Sequence, residues 1–465
     1  MEPVPDEIGG IDREALQRRT LTTLRVSQVP GQAAVAGSVA VVSLLASDML
    51  GSDRWAGIGG AAFTAGAAIT AVPLAAAMRR RGRRPGLVVA FLVAAVGALV
   101  TAAGGQQRWF PLFVIGLVLF GAGQAATLQG RYVATDLVAP HQRARAVAAI
   151  VWIGTIGAVI GPVLTPAAKG LASSLGLVDL IGPYLVASAL FLLSALIVWV
   201  RLRPDPLVVA GGTDPHAERA RPLRQVRVSY GEIRRSRLAV LGLAAMAGSQ
   251  AAMVAVMAMT PPHMKDHGHA DLSALVIAVH IFGMFGLAPV VGRFVDRIGA
   301  VRAVGWGAVV LGSGTVSAVI AGYVPVLMFL GLFLLGLGWN IGLISGTTLL
   351  TSSVPDSARV AAQGTGDLTM SLCGAVAALG SGFVKASFGF HLLADAATVL
   401  AALLLVYSWR INVDLRRTSS LERGPQEVGG VADRVGSVGD HHRHPVEGVD
   451  LAVESPLGDI DSDRA

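Results

Sequence analysis

The stretch LRPDPLVVAGGTDPHAERARPLRQVRVSYGEIRRS, residues 202–236, is the long polar interruption in a chain that is otherwise apolar as far as residue 412. On either side lie stretches long enough to cross a bilayer, since a spanning helix needs about 20 mainly apolar residues at a rise of about 1.5 Å each. Six precede the interruption, at about 25–48, 56–78, 86–105, 110–134, 143–167 and 181–201. Six follow it, at about 237–260, 272–294, 301–322, 325–347, 359–386 and 390–410. The composition agrees: 465 residues, 53% hydrophobic and only 14% charged, is a balance foreign to soluble domains of this size. The expected class is an all-α integral membrane protein with twelve transmembrane helices in two pseudo-symmetric six-helix bundles. The chain then divides into an N-terminal segment 1–24, a first bundle 25–201, a basic linker 202–236, a second bundle 237–412 and a tail 413–465. The tail is charged and lacks apolar periodicity, so it is expected to be disordered.

A net charge of +7 invites a nucleic-acid reading, but the positions of the charges exclude it as the explanation. Arg79, Arg80, Arg81, Arg83 and Arg84 follow the second span, and Arg131, Arg143 and Arg145 are grouped between the fourth and fifth. Nine arginines run from Arg201 to Arg237, and Arg293, Arg297 and Arg302 follow the eighth span. The alternate loops hold only Arg54, Arg108, Lys169, Lys265 and Lys385. By the positive-inside rule both termini lie in the cytoplasm, with the protein in the plasma membrane. Residues 1–20 carry acidic groups ahead of their arginines and no short apolar core with a cleavage site, so no signal peptide is expected. Cys373 is the sole cysteine, which leaves no disulfide framework and no cysteine-based metal site.

The two halves repeat one plan. GAG at 121–123 answers GLG at 336–338, and Pro140 answers Pro355, both 215 residues apart; Lys169 answers Lys385 at 216, and Gly82 answers Gly299 at 217. The loop after the eighth span reads GRFVDRIG, residues 292–299. It resembles the G-x-x-x-D-R-x-G signature of the major facilitator superfamily, with Gly292, Asp296, Arg297 and Gly299 in place. The first copy departs from it, since Ala75 stands for the first glycine and Arg79 for the aspartate, while Arg80, Gly82, Arg83 and Arg84 fit. In the fifth span, GAVIGP at 157–162 is similar to the family's antiporter motif through Gly157, Gly161 and Pro162, after which Thr165 and Pro166 replace the expected glycines. In the fourth, Leu117 stands where drug antiporters of the family have an arginine. The resemblance covers about residues 25–410 and implies two bundles rocking about a central site.

A carboxylate in the loop signature suits a helix N-terminus or an arginine across the seam between halves. The N-terminus of the fifth span, near Arg143 and Arg145, is the expected partner of Asp296, with Arg297 completing a latch; anchoring of the loop is the simpler alternative. Glycines followed by Pro162 imply a bend and a close helix contact in the fifth span, either to shape the path or for ordinary packing. Asp367 sits about two turns inside the eleventh span, where a centred aspartate costs roughly 2.5–3.5 kcal/mol. Its counterpart in the repeat is Trp152. Such groups face the bundle interior, so Asp367 is the lead candidate for proton coupling or for binding a cationic substrate, against a structural hydrogen bond to Gln363 or a neighbouring helix. His280 in the eighth span is a second proton-coupling candidate or a packed core histidine. Asp48, at the end of the first span, is a third, or merely solvated. Gln32, Trp152, Gln250, Met284, Trp339 and Asn340 are the candidates for lining a substrate cavity, each alternatively serving helix packing. His263, His267 and His269, and HHRH at 441–444, have spacings that can hold a metal or sense pH, but lack the supporting ligands, so no metal and no cofactor are assigned.

No phosphate-gripping G-x-x-x-x-G-K-[ST] loop is present, so the energy source is expected to be an ion gradient rather than ATP. No nucleophile with a base at readable spacing points to an enzyme. The expectation is therefore a monomeric secondary transporter that exports small amphipathic molecules against protons, its partners being the substrate, protons and the bilayer. A nutrient importer of the same fold is the alternative, and a receptor or scaffold that has lost transport is the second.

Overall fold

Backbone amides have no water partner inside a bilayer, so a spanning segment satisfies them within its own helix. The computed structural model describes residues 7–8, 11–51, 57–214, 222–266, 272–321 and 324–436, and apart from a two-residue antiparallel pair, Glu7–Ile8 with Ile11–Asp12, its regular structure is helical. The first half is α1 (Arg13–Leu50), α2 (Gly57–Arg81), α3 (Arg83–Gln106), α4 (Phe110–Val133), α5 (Arg143–Ser174) and α6 (Gly182–Arg201). The linker contributes a single turn, α7 (Pro206–Val209), and the amphipathic α8 (Pro222–Arg235). The second half follows with α9 (Arg237–Asp266), α10 (Ser273–Ile281), α11 (Ala288–Ile298), α12 (Ala300–Ala321) and α13 (Pro325–Ser352). A last helical stretch, Asp356–Gly436, holds two spans, α14 (Asp356–Lys385) and α15 (Ser387–Arg417), with a kink in the first turn of α15 at Gly389, where φ is 87°.

Among the described residues, eleven helices are long and apolar enough to cross a membrane, and a twelfth crossing comes from α10 and α11 if that bent pair is one span. The pair is bent by 42° at the wide turn Phe282–Gly286, where Gly283, Gly286 and Pro289 weaken the hydrogen-bond ladder. Other boundaries move for local reasons. α1 starts twelve residues before the expected span because Asp12 caps it, accepting from Ala15 N at 3.0 Å, and because Gln17 donates to Ala134 O at 2.9 Å. α3 takes in Arg83 and Arg84, which the sequence had left in the loop.

Each half has its own apolar core. In the first, Phe120 meets the rings of Tyr184 and Phe191 edge-on at 5.8 and 5.3 Å. The second packs Met246, Leu311, Leu332 and Leu350, and it also takes in Ala144, Val147 and Ala148 from α5 of the first half. In its outer part α5 lies against α1 so closely that a Cβ on Gly157 would stand 2.6 Å from Val29 O, and one on Gly161 2.5 Å from Ala33 O. The expected close contact is thus with α1, and the helix runs through Pro162 and Pro166 without a break. Met1–Asn412 forms one compact unit and Val413–Ala465 a second. Helix continues to Gly436, and residues 437–465, with the HHRH tract, lie outside the described residues, as do His267 and His269 and the side chain of His263.

Candidate functional site: a charge network between the halves

The two halves meet at the end of the bundle that carries the linker, and small residues set the approach. A Cβ on Gly292 of α11 would meet Ala148 Cβ of α5 at 2.5 Å; in the mirrored crossing, a Cβ on Gly364 of α14 would meet Ala75 Cβ of α2 at 2.5 Å. The glycine absent from the first copy of the signature has thus not been lost. It stands on the opposite helix of the same crossing, so both contacts keep one glycine. Gly82 and Gly299, the repeated turn glycines, hold the same backbone region at φ 94° and 87°, where a side chain would be strained.

Asp296 joins the halves through the α5 N-terminus. Its carboxylate accepts from Ala144 N at 3.2 Å and Arg145 N at 3.3 Å, and Arg145 Nε is 3.1 Å away. The partner expected for it is therefore present, but Arg297 is exposed and takes no part. Arg143 adds a second tie, donating to Ser352 Oγ at 2.9 Å. In the other copy, Arg79 pairs instead with Asp214 of the linker at 3.2 Å, while Asp205 accepts from Arg84 N at 2.7 Å at the start of α3. An Asp296→Asn variant should lose roughly 1 kcal/mol of this tie, the usual worth of a charged cap at a helix N-terminus. Spin labels on Arg81→Cys and Ser357→Cys in a Cys373→Ala background should then report about a fivefold larger open population at the linker end.

The strongest tie is buried. Asp367 is 1% exposed and forms an ion pair with Arg131, itself 2% exposed. Gln129 Nε2 donates to the same carboxylate at 2.9 Å and Tyr132 OH at 3.1 Å. One helical turn below, Arg83 holds Asp136 through two bonds of 2.8 and 3.0 Å and donates to Gln363 Oε1 at 2.8 Å. Arg83 also reaches Gln129 Oε1 at 3.4 Å, so Gln129 links both ion pairs into one network. Arg83, Gln129, Arg131, Tyr132 and Asp136 belong to the first half; Gln363 and Asp367 lie on α14 of the second. In the low dielectric of a buried site, paired and bonded charges are held strongly, while an unpaired one is costly.

The other candidates are dispersed. Gln250 Oε1 accepts from Trp339 Nε1 at 2.7 Å, and Phe285 meets the Trp339 ring edge-on at 5.6 Å. Gly374 of α14 makes room for this group, since a Cβ there would stand 3.1 Å from Gln250 Nε2. Gly374 is about 10 Å along the helix from Asp367 at the α-helical rise. Gln32 packs against α5 beside Gly154 and Gly157, and Trp152 of α5 is 41% exposed. Met284 lies in the turn between α10 and α11. Asn340 is buried and donates to Gly283 O at 3.5 Å. His280 is also buried, its Nδ1 2.8 Å from Leu332 O, inside the second core and apart from Asp367. Asp48 pairs with Arg108 at 3.0 Å at the opposite end of the bundle.

The Major Facilitator Superfamily model matches residues 30–288 and again 241–446. The chain belongs to that superfamily. Among curated members of the superfamily, the uncharacterized MFS-type transporter YdeG of Bacillus subtilis is 37% identical over 397 residues, 84% of this chain and 92% of that protein. The riboflavin transporter RfnT of Brucella anthropi is 28% identical over 396 residues, covering 84% and 94%. Among solved superfamily structures, the human organic anion transporter MFSD10 superposes with a TM-score of 0.68 at 16% identity, over 84% of this chain and 99% of that one. The transporter FucP in its outward conformation gives 0.66 at 16%, over 83% and 97%. Family and fold are thus those of multi-pass membrane transporters, a class that moves small-molecule substrates.

Proposed function

We propose that this superfamily member is a proton-coupled secondary transporter that exports small amphipathic organic molecules, working as a monomer in the plasma membrane with the linker end in the cytoplasm. The observation that carries the reading is the Asp367 carboxylate, buried on the second half and held by Gln129, Arg131 and Tyr132 of the first. Ionised, it completes the clasp that closes the linker end. Protonated, it gives up the charge that Arg131 pairs with, and the equilibrium moves toward the state open at that end. The Gln250–Trp339–Phe285 group is the substrate end of the same device. It touches α14 about two turns from Asp367, so substrate and proton act on one helix. Arginines concentrated at the linker end support its cytoplasmic side, and the GAVIGP segment supports export.

The test uses inverted membrane vesicles with an acidic lumen and a pH-sensitive dye. A panel of lipophilic cations, neutral drugs and vitamins should include compounds that release lumenal protons with the parent protein and not with Asp367→Asn. Equal release by both proteins sinks the reading. A second reading, uptake of a flavin-like vitamin, is favoured by the similarity to RfnT together with the edge-on Phe285–Trp339 pair beside a hydrogen-bonding glutamine, a setting suited to a flat heteroaromatic ring. Accumulation of labelled riboflavin by intact cells, rather than exclusion, would favour it. Under either reading Trp339→Ala should weaken the apparent affinity for flat aromatic substrates about tenfold, from about 1.4 kcal/mol of lost ring contact, with proton coupling retained.

A further inference from the structure

A cavity lies beside Arg79 at the linker end. It holds about 540 Å³ and lies between α2, the linker helix α8 and the first turns of α14. Polar and apolar residues alternate around it, with Val72, Ala75, Arg79 and Arg80 from α2 and Arg224, Val228 and Ser229 from α8. Two carboxylates, Asp214 and Glu232, also line it, Asp214 pairing with Arg79 at 3.2 Å and Glu232 with Arg235, so the three arginines outnumber the acids.

Two of the lining residues, one on α2 and one on α8, carry groups without partners. Arg80 Nε is buried and meets no hydrogen-bond acceptor. Ser229 is 2% exposed, and its hydroxyl is also without a partner. A buried donor left unmade costs about 1–3 kcal/mol, and two of them, one from each of two helices that line the cavity, call for an oxygen-rich acceptor. An arginine and a hydroxyl lining one cavity suit a phosphate oxyanion, while the apolar residues of the lining suit an organic group attached to it. The cavity is larger than a lone inorganic ion requires.

We propose that this cavity binds an organic phosphate, held by Arg80 Nε and Ser229 Oγ with its organic part against Val72, Ala75 and Val228. Such a ligand bridges α2 of the first half, the linker helix and α14 of the second, at the crossing that mirrors the one tied by Asp296 between α11 and α5. The site stands whatever the transported substrate or the direction of transport, and its test needs neither. Two sources share the chemistry, a soluble phosphate ester and the headgroup of an anionic lipid.

The experiment is calorimetric titration of the purified full-length protein in nonionic detergent. The probes are glycerol 3-phosphate, dihexanoyl phosphatidylglycerol and, as the uncharged-overall comparison, dihexanoyl phosphatidylcholine. At least one anionic probe should bind at a ratio of one per protein, at least tenfold more weakly to Arg80→Gln and severalfold more weakly to Ser229→Ala. Equal binding of glycerol 3-phosphate and the phosphatidylglycerol assigns the site to a soluble ester; binding of the phosphatidylglycerol alone assigns it to a lipid. Anionic probes that bind no better than phosphatidylcholine overturn the proposal, and so does affinity unchanged in both variants. Ser229→Ala removes one oxygen from a helix surface and keeps the test decisive if Arg80→Gln does not fold.

Discussion

Replacing Asp367 by asparagine is expected to abolish proton-driven transport while leaving the protein folded and able to bind substrate. Asparagine keeps one carbonyl oxygen, which replaces the acceptor of either Gln129 or Tyr132 because those two donate to different carboxylate oxygens, and it removes the charge that Arg131 pairs with inside the protein. Arg131 already has two buried nitrogens, Nε and Nη1, without partners, so nothing nearby takes over. Breaking a buried ion pair from one side costs about 3–5 kcal/mol, and even the lower figure is more than a hundredfold in an equilibrium constant. The linker end should therefore open in most molecules, seen as a longer distance between spin labels on Arg81→Cys and Ser357→Cys in the Cys373→Ala background. The double variant Arg131→Gln/Asp367→Asn separates coupling from stability. With no buried charge left unpaired, it should regain most of the parent's melting temperature and closed population, yet show no proton release. If the single variant stays closed and couples, Asp367 is a structural group and the coupling site lies elsewhere.

The twelve crossings were legible because length and apolarity alone mark a span, and the repeat placed the landmarks of both halves. The site was half legible. Asp367 announced itself as a carboxylate in an apolar stretch, but its partner Arg131 did not, although the expected fourth span, 110–134, contained it. Counted with the loop arginines it reads as topology, whereas an arginine inside a span calls for a buried partner of opposite charge. Gln129 and Tyr132, its neighbours in QGRY, gave no signal of their own. Arg83 was misplaced for a related reason: the signature is described as a loop, while here the helix begins at that arginine and buries it fully. The glycine exchange between Ala75 and Gly364 was beyond the sequence because the signature is read along one segment, whereas the packing requirement belongs to a pair of crossing helices.

Arg83→Gln should have the largest effect on stability. Its guanidinium is wholly buried and serves four acceptors, Asp136 through both oxygens, Gln363 across the halves, Gln129 toward Asp367 and the Met78 sulfur. A glutamine reaches at most part of this set and brings no charge, so Asp136 is left alone in a buried position, at a cost of about 3–5 kcal/mol. Asp136 lies outside the spans, and burial already pushes its carboxyl above the usual range against the pull of Arg83. Without that arginine it rises further and takes up a proton in the folded state, while the unfolded chain ionises near pH 3.9. Between those two values the folded variant binds more protons than the unfolded one, so its stability falls as pH rises. The deficit relative to the parent should accordingly be smaller at pH 5.5 than at pH 7.5, measured by thermal unfolding in detergent. Arg83→Gln/Asp136→Asn, which leaves no charge behind, should recover much of the loss and flatten that pH dependence. A deficit that stays constant across this range would mean that Asp136 remains ionised without Arg83, with some other group carrying its charge.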